Sequence, residues 1–307
     1  MTSPDERERA ELLADLRADP PRISPRYFYD EVGSALFDRI TQTPEYYPTR
    51  TELSILRDEG AEIGARIAEG SVIVELGSGS AEKIVALLAH VRAPRLYRPI
   101  DISPRALATT CDGVRHAFPE LALAPFEGDF TAAAAYADLP PGAPKLVYYS
   151  GSTIGNFEPP EAMAFLRALR ARLASGDALL LAVDLVKSGA VLNAAYNDAA
   201  GITAAFNRNL LRHLNARFGA DFDPEAFDHL AFFEPRKSRI EMHLVPRTQQ
   251  RVHIGGDVLV FSKPIHTESS YKFTTDDLVG LARGSGFTLE AVVTDPRRWF
   301  AEAIFRA

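Results

Sequence analysis

Apolar runs of strand length alternate with amphipathic segments in the middle of the chain. The runs at 72–76 and 178–187 contain few polar residues, which is typical of parallel strands covered on both faces. The segment 161–173 places its apolar residues on one helical stripe. Further strands are predicted at RLYRPIDI, which ends at Asp101, at 121–130 and at 146–149. This repetition predicts an α/β domain with a doubly wound parallel sheet, which binds ligands at the carboxyl ends of its strands.

The pattern changes on both sides of this region. Residues 5–18 predict a surface helix, and residues 25–52 are unusually rich in aromatic side chains. After Lys187 the stretch 190–218 predicts a helical section. Alternating polarity then predicts antiparallel strands, and two more strands are expected near the end of the chain; the segments are 238–245, 250–254, 257–262, 287–293 and 298–307. The residues after 187 therefore predict an inserted or appended subdomain.

The stretch VIVELGSGSAEK, residues 72–83, predicts a strand, a tight glycine turn and a helix start. A dinucleotide-binding turn has a third glycine at the position of Glu82, and the long acidic side chain there disfavours that cofactor. Glu75, Gly77, Gly79 and Ala81 instead resemble motif I of class I S-adenosylmethionine-dependent methyltransferases, with alanine in place of the third glycine. An ordinary strand-to-helix turn of an α/β domain remains the alternative for this stretch alone.

Polar side chains follow the next two predicted strands. A carboxylate at the end of a second strand can accept hydrogen bonds from both hydroxyls of a ribose, which is the role we expect for Asp101. An ordinary capping carboxylate is the alternative. Asp129 and Phe130 close the following strand, and a polar group beside an aromatic ring suits an adenine amino group and ring.

Composition favours small-molecule chemistry. The 307-residue chain has a formal net charge of −7 and no extended basic face, which argues against nucleic acid as a partner. It has no apolar run long enough to cross a membrane, and its charged N-terminal segment does not resemble a signal peptide. We therefore expect a cytoplasmic protein with a small-molecule substrate and no membrane partner, and we expect a monomer.

The metal-binding residue types show no site pattern. Cys111 is the only cysteine, which excludes an intrachain disulfide and a cysteine-rich zinc site. The seven histidines include no pair with metalloprotease spacing. We predict no metal.

Eight short strings, in order and spread over nearly the whole chain, resemble the L-histidine Nα-methyltransferases of ergothioneine biosynthesis, which make the trimethylated betaine hercynine from histidine. The strings are FYDEVGSALFDRI, PEYYPTR, ELGSGSAEK, GSTIGN, DLVK, FNRNLL, RIEMHL and TESSYKF. The resemblance implies a class I methyltransferase domain, residues 51–187 and 272–307. It also implies a second, α+β substrate-binding domain formed by residues 1–50 and 188–271.

The resemblance also implies roles for individual residues. The S-adenosylmethionine-binding residues would be Gly77, Lys83, Asp101, Asp129 and Phe130. The residues that bind L-histidine would be Asn156 and Tyr196 at its α-amino and carboxylate groups, Tyr46, Glu268 and Ser270 around its imidazole, and Met242 and Tyr29 elsewhere in the pocket. Each has a structural alternative; Lys83 could be a solvated helix residue, for example, and Glu268 a surface charge on a loop.

The implied reaction is an in-line displacement in which the neutral α-amine attacks the sulfonium methyl group. Asn156 would hold the amine, and Tyr29 is a candidate proton acceptor. Two alternatives remain from the sequence. One is the same chemistry on another amino acid or aromatic amine, and the other is a non-catalytic protein that binds the cofactor.

Overall fold

The computed structural model describes residues 4–79 and 81–307. Its helices are α1 (Pro4–Leu16), α2 (Glu31–Thr41), α3 (Pro48–Asp58), α4 (Gly60–Gly64), α5 (Ala81–Leu88), α6 (Pro104–Ala117), α7 (Pro159–Arg170), α8 (Gly189–Ala195), α9 (Ile202–Phe218) and α10 (Thr275–Ser285). Its strands are β1 (Val72–Leu76), β2 (Leu96–Asp101), β3 (Phe126–Glu127), β4 (Lys145–Tyr149), β5 (Ala178–Asp184), β6 (Phe227–Glu234), β7 (Arg239–Pro246), β8 (Gln250–Ile254), β9 (Asp257–Phe261), β10 (Ile265–Tyr271), β11 (Thr288–Thr294) and β12 (Phe300–Arg306). Backbone contacts divide the chain into two compact units, a first unit of residues 1–47 and 187–271 and a second unit of residues 48–186 and 272–307.

The second unit contains a seven-stranded sheet in the order β11-β12-β5-β4-β1-β2-β3. Strands β1 to β5 pair in parallel, and the strand order reverses between β1 and β4. In such sheets a ligand binds outside the carboxyl ends of the strands at this reversal. The apolar runs that predicted β1 and β5 are fully buried, as expected for strands covered on both faces. The prediction of a doubly wound α/β sheet is therefore confirmed.

Three details of the predicted sheet are wrong. Strand β12 runs antiparallel to both β5 and β11, so one side of the sheet is not parallel. The strand expected at 121–130 shortens to Phe126–Glu127 because Pro125 lacks an N–H and Gly128 departs from strand geometry with φ 154°. The strand expected at 178–187 ends at Asp184, after which Leu185 bridges to Phe273.

The first unit contains a three-stranded antiparallel sheet in the order β10-β7-β6 and a two-stranded hairpin of β8 and β9. Strands β7, β8 and β9 confirm the strands predicted from alternating polarity at 238–245, 250–254 and 257–262. Ile240, Met242 and Leu244 point to one face of β7 and are buried. The long helix α9 packs against α2 and β6. Strands β6 and β10 were not predicted.

The helical section expected at 190–218 is interrupted. Helix α8 ends at Ala195, and α9 begins only at Ile202, after Gly201 with φ 70°. The Asp198 carboxylate accepts hydrogen bonds from the backbone N–H groups of Ile202 and Thr203 at 2.8 and 2.7 Å. Because these groups would otherwise have no partner at a helix N-terminus, Asp198 caps α9 and leaves Tyr196 in the break between the two helices.

Within residues 4–79 and 81–307, no helix combines the length and the hydrophobicity that a membrane span requires.

We expect the ion pair between Lys272 and Asp184 to be a main determinant of the second unit's stability. The Lys272 Nζ lies 2.9 Å from an Asp184 oxygen, and both side chains are 1% exposed. Removing one partner of a buried pair leaves the other charge uncompensated, so Lys272→Met should lower the free energy of unfolding by about 3–5 kcal/mol. The exposed pair between Lys263 and Asp19 offers a control, and Lys263→Met should cost far less. Urea unfolding of the two variants measures the difference. Equal losses of unfolding free energy in Lys272→Met and Lys263→Met would contradict the importance of the buried pair.

Candidate functional site

The turn after β1 is shaped by two glycines. Gly77 has φ 75°, in the left-handed region that favours glycine, and its N–H donates to the Ile100 carbonyl at 2.9 Å. A Cβ added at Gly77 or Gly79 would meet no atom within 4 Å, so the backbone of the turn faces open space. Ser80, also part of this motif, lies outside the described residues.

Ala81 stands where related turns carry a third glycine, and the neighbouring helix accommodates it. A Cβ added at Gly113 of α6 would lie 2.3 Å from the Ala81 Cβ. α5 and α6 can therefore approach closely because α6 has a glycine, Gly113, at the contact, while α5 keeps the methyl group of Ala81. The departure of this motif from the three-glycine pattern thus has a structural compensation within the same unit.

Asp101 ends β2 and takes part in the local backbone structure. Its carboxylate accepts a hydrogen bond from the Ser103 N–H at 2.8 Å, while the Ser103 hydroxyl caps α6 by accepting from Ala106 N–H. Burial raises the pKa of Asp101, and hydrogen bonds from the backbone of Ser103, Ser78 and Ile102 oppose this rise. Asp101 therefore has a structural role, since it holds the Ser103 N–H at the start of α6, and it lies at the end of β2, where a ribose-binding carboxylate is expected.

Asp129 and Phe130 lie directly after β3, beside the end of β2. The Gly128 N–H donates to the Asp101 carbonyl at 2.9 Å, which fixes this segment next to Asp101. The Asp129 carboxylate accepts from Thr131 N–H at 2.7 Å. The ring of Phe130 packs against Tyr149, with a centroid distance of 5.5 Å, and against Phe165 at 5.6 Å. An acidic group and an aromatic wall thus adjoin at the sheet edge where Asp101 lies.

Lys83 is not a solvated helix residue. Its Nζ lies 2.6 Å from the Glu52 carboxylate, and the side chains are 14% and 0% exposed. Glu52 also accepts hydrogen bonds from the Tyr148 hydroxyl at 2.8 Å and from the Gly151 N–H at 3.0 Å. One buried carboxylate therefore holds Lys83, strand β4 and the loop that follows it.

Sequence reasoning missed Glu52, although a signal was present. Glu52 lies three and four residues before Ile55 and Leu56, which places an acidic residue on the apolar stripe of α3. A carboxylate at such a position must find partners in the core, and here it finds a lysine, a phenol and a backbone amide.

Two further buried acids belong to the same unit. Glu75, on β1, is 1% exposed and accepts a hydrogen bond from the Tyr97 hydroxyl. Burial raises the pKa of Glu75 to about 8, and the Tyr97 hydrogen bond opposes part of the rise. Glu302, on β12, is fully buried, and its carboxylate has no hydrogen-bond partner among the described residues. Burial, and then the negative charge of Glu52, raise the pKa of Glu302 well above its ordinary value.

Asn156 ends a short 3-10 helix, Thr153–Asn156, after β4. Gly151 and Ser152 precede this helix with φ values of 72° and 58°, so the chain turns through two consecutive left-handed residues. Asn156 is half-buried, and its amide makes no side-chain hydrogen bond within the part of the chain that the structure describes. It is therefore available to a ligand of the second unit.

The first unit brings together the other predicted substrate residues. The Tyr196 hydroxyl donates to the Ser270 Oγ at 2.9 Å, and the Tyr46 and Tyr196 ring centroids are 6.4 Å apart. Glu268 is paired with Met242 in the β10–β7 register, and Glu268 and Ser270 project from the same face of β10. Glu268 is 8% exposed, so it is a buried strand residue rather than a surface charge on a loop.

Tyr29 adjoins this group through Phe37, whose ring lies between Tyr29 and Tyr46 at centroid distances of 6.0 and 6.1 Å. Although 45% of the Tyr29 surface is exposed, desolvation of its hydroxyl raises the pKa of the phenol, and the negative charge of Glu268 raises it further. A phenol with a raised pKa keeps its proton, so it stays a hydrogen-bond donor and forms a phenolate less readily. Tyr29 is therefore better suited to donate a hydrogen bond than to accept a proton as a phenolate.

The structure also shows polar residues behind this group that sequence reasoning did not single out. Asn209 donates to the Asp30 carboxylate at 2.8 Å, and Asp30 caps α2 beside Tyr29. Asn207 contacts His229 at 2.9 Å, and the His229 Nε2 lies 2.9 Å from the Tyr196 carbonyl oxygen. The signal was the string FNRNLL, which places two asparagines among the apolar residues of α9.

No group of three or more histidine, cysteine, aspartate or glutamate side chains within residues 4–79 and 81–307 is arranged to hold a metal ion.

Residues 8–307 match the family described as histidine-specific methyltransferase, SAM-dependent, where SAM is S-adenosylmethionine. The chain is 41% identical to a histidine N-alpha-methyltransferase of Mycolicibacterium smegmatis over 295 residues, which cover 94% of this chain and 91% of that protein. It is 40% identical to the protein of the same name from Mycobacterium tuberculosis over 272 residues, 86% of this chain and 84% of that protein. It is 31% identical to ergothioneine biosynthesis protein 1 of Neurospora crassa over 77% of this chain and 29% of that protein.

Among solved structures, the mitomycin 7-O-methyltransferase MmcR superposes with a TM-score of 0.50 at 13% identity, covering 99% of this chain and 69% of that chain. At this identity the superposition supports the fold alone.

We expect Glu75 to make the stability of the second unit depend on pH. The native carboxyl has a pKa of about 8, whereas its ordinary value is 4.5. Between these two pH values Glu75 is therefore protonated in the native protein and ionised in the unfolded chain. The free energy of unfolding should therefore fall as pH rises, by up to about 1.4 kcal/mol per pH unit from this group. Glu75→Gln should lack this component.

Urea unfolding of wild type and Glu75→Gln at a series of pH values measures the difference. The exposed Glu69 provides the control, because Glu69→Gln should reproduce the wild-type pH dependence. Identical slopes for wild type and Glu75→Gln would show that Glu75 is ionised in the native state.

Proposed function

Because this chain belongs to the histidine-specific, SAM-dependent methyltransferase family, we propose that it converts L-histidine into its Nα-trimethylated betaine, hercynine. The enzyme methylates histidine and uses SAM as the methyl donor. The number of methyl groups transferred and the role of each residue are parts of this proposal. The observation that carries the residue assignment is the arrangement of Tyr196, Ser270 and Glu268 around one buried face of β10.

For the donor, we propose that the second unit holds SAM along the carboxyl ends of β1, β2 and β3. The Gly77 turn accepts the ligand because its backbone faces open space. Asp101 binds the ribose hydroxyls, and Asp129 with Phe130 binds the adenine. Lys83, fixed by Glu52, binds the carboxylate of the methionine portion. SAM supplies an electrophilic methyl group on a positively charged sulfur.

For the acceptor, we propose that the first unit recognises the imidazole ring. Glu268 and Ser270 can pair with the two ring nitrogens, because one group accepts and the other can donate or accept. Tyr46 and Met242 form the walls of this pocket. A pocket built from buried polar groups rejects an apolar isostere strongly, because its own hydrogen-bonding groups would lose their partners.

We propose that the backbone groups of the amino acid are held by neutral side chains. The Tyr196 phenol binds the carboxylate with the proton that it otherwise donates to the Ser270 Oγ, and the Asn156 amide binds the α-amino group. In the first two transfers the amide oxygen accepts an N–H from the amine and leaves the nitrogen lone pair free to attack. In the third transfer the dimethylated amine has no N–H, and only its lone pair is presented. Neutral donors avoid placing a full positive charge beside the sulfonium, which would disfavour cofactor binding.

The chain contributes mainly positioning to the chemistry. An in-line displacement needs the attacking nitrogen, the methyl carbon and the sulfur to be collinear, and alignment of this kind lowers a barrier by about 7–11 kcal/mol in the best cases. The amine attacks in its neutral form, and the proton left on the nitrogen after the first and second transfers is released to solvent before the next transfer, so no strong base is required. We assign Tyr29 as a hydrogen-bond donor that orients the substrate, since the pKa of its phenol is raised.

The number of methyl groups is tested by incubating the enzyme with SAM and histidine and following the product by mass spectrometry. We expect intermediates with one and two methyl groups and a final product with three. The same assay with other amino acids and aromatic amines tests the alternative substrates. A product that stops at one methyl group would overturn the trimethylation, and absence of any product would overturn catalysis itself.

Replacement of Glu268 should affect histidine far more than SAM. Loss of a charged hydrogen-bonding partner for the imidazole predicts a rise in the histidine KM of about 10- to 100-fold for Glu268→Ala, with the SAM KM nearly unchanged. Glu225→Gln, which alters an exposed acid of the same unit, should leave both constants as in wild type. If Glu268→Ala left the histidine KM unchanged, the imidazole assignment would be wrong.

Replacement of Glu52 should have the opposite selectivity. Glu52→Gln removes the charge that fixes Lys83 and exchanges one acceptor oxygen for a donor, so the SAM KM should rise about tenfold. The histidine KM should change little. Glu62→Gln, at an exposed pair with Arg66, provides the control in the same unit. A selective loss of histidine affinity in Glu52→Gln would refute its link to the cofactor.

A further inference from the structure

A chain of four hydrogen-bonded groups runs behind the pocket residue Tyr196. The Thr267 hydroxyl donates to the Asn207 Oδ1 at 2.8 Å, and the Asn207 Nδ2 lies 2.9 Å from the His229 Nδ1. The His229 Nε2 lies 2.9 Å from the Tyr196 carbonyl oxygen. Thr267 and Asn207 are fully buried, so these bonds are shielded from competing water.

The donors and acceptors in this chain fix the protonation of His229. The Asn207 Nδ2 also donates to the His243 carbonyl oxygen at 3.0 Å, and a carbonyl oxygen only accepts. The amide nitrogen is therefore oriented towards both neighbours, and its second hydrogen points at the His229 Nδ1. Nδ1 must accept this hydrogen bond, so the single proton of neutral His229 lies on Nε2 and is donated to Tyr196.

We propose that His229 is a pH-sensitive positioning residue of the histidine pocket, and that it links the buried Asn207 to Tyr196 only as the neutral Nε2–H tautomer. A cationic His229 would turn an Nδ1–H towards the NH₂ of Asn207, and two donors would then face each other. Asn207 cannot rotate to relieve this conflict, because its oxygen would then face the His243 carbonyl. Protonation therefore breaks the chain at its centre.

The position of Tyr196 explains why it needs this support. It caps the C-terminus of α8, where its N–H donates to the Asn193 carbonyl at 3.3 Å, and α9 begins only at Ile202. Its carbonyl, like the others at the end of a helix, has no partner within the helix. Its side chain donates to Ser270, while its carbonyl receives the bond from His229. Two strands therefore hold this residue: Ser270 of β10 contacts its hydroxyl, and His229 of β6 contacts its backbone carbonyl. That this residue contacts histidine rests on the proposed function.

The charged groups around His229 leave the neutral form favoured. Arg208 approaches from α9, Asp198 from the segment before α9, and Glu268 projects from the same face of the sheet. Helix α8, which also packs on β6, carries no charged residue. Burial lowers the pKa of His229, the Tyr196 hydrogen bond and Asp198 oppose this shift, and Arg208 adds to it.

The sign of the pH dependence follows from this lowered pKa. Below the ordinary histidine value of 6.5, the unfolded or loosened chain binds a proton that the ordered pocket excludes. Order around Tyr196 is therefore fully present above about pH 6.5 and is lost as the pH falls towards the native pKa. Histidine affinity should decline over the same range.

The tautomer is measured directly by NMR of wild-type protein labelled with ¹⁵N in the histidine rings. We expect ring-nitrogen signals of a neutral His229 with the proton on Nε2 at neutral pH, without added substrate. A proton on Nδ1, or a charged ring at neutral pH, overturns the proposal. This result does not depend on activity, so it is separate from any failure of the proposed function.

Calorimetry tests the effect on binding, in the presence of S-adenosylhomocysteine. His229→Gln keeps an N–H donor at the same number of bonds from Cβ as the histidine Nε2, on a side chain that does not titrate, and His229→Ala keeps none. We expect His229→Ala to raise the histidine Kd about tenfold at neutral pH. Between about pH 7.5 and 5.5 the wild-type Kd should rise more steeply than that of His229→Gln, by a further three- to tenfold.

The imidazole of the substrate also titrates in this pH range. Its effect cancels when the Kd of each variant is divided by the wild-type Kd at the same pH, since the same ligand is used throughout. His253→Gln alters an exposed histidine of the same unit, paired with Asp221, and should keep the wild-type pH profile. Equal pH dependence in wild type and His229→Gln overturns the proposal. If wild type binds no histidine at any pH, the proposed function fails, and the link between His229 and substrate fails with it.

Discussion

A single buried carboxylate organises the candidate cofactor site. Glu52 is fully buried and holds three groups from different parts of the second unit: the Lys83 amine, the Tyr148 hydroxyl and the Gly151 amide. A charge in the core is tolerated only when it is paired and hydrogen-bonded, so these groups must converge for the unit to fold. The same requirement fixes the lysine proposed to bind the cofactor. Stability and recognition therefore depend here on one set of contacts.

The first unit follows the same rule with neutral groups. Its sheet presents Glu268 and Ser270 on a buried face, Tyr196 closes on Ser270, and Asn207 with His229 supports Tyr196 from behind. Hydrogen bonds link Asn207 to His229, His229 to Tyr196 and Tyr196 to Ser270, so these side chains are held in place without a ligand. Such preorganisation lowers the cost of ordering side chains during binding. A histidine at the centre of the series also adds a dependence on pH.

Sequence patterns predicted the parts of the fold in which hydrophobicity alone specifies the structure. β1 is apolar except for Glu75, and β7 alternates from Arg239 to Leu244, so their positions were predicted correctly. β5 is apolar up to Asp184, and its start was predicted correctly but its end three residues too late. β10 was missed because its sequence, IHTESSY, is mostly polar although four of its seven residues in succession are buried. Its strand conformation depends on hydrogen bonds to β7 and on polar partners for Glu268 and Ser270. A local pattern contains no information about those partners.

The sequence by itself determined the α/β class, the glycine turn after β1, the family and therefore the reaction, because these depend on short strings and on the period of apolar residues. Only the tertiary structure showed that Glu52 pairs with Lys83, that Gly113 makes room for Ala81, and that the Asn207 amide lies against the His229 ring. These pairs are separated by 22 to 32 residues in the sequence. A side chain's partner across such a distance is chosen by folding, since burial makes every unpaired polar group costly.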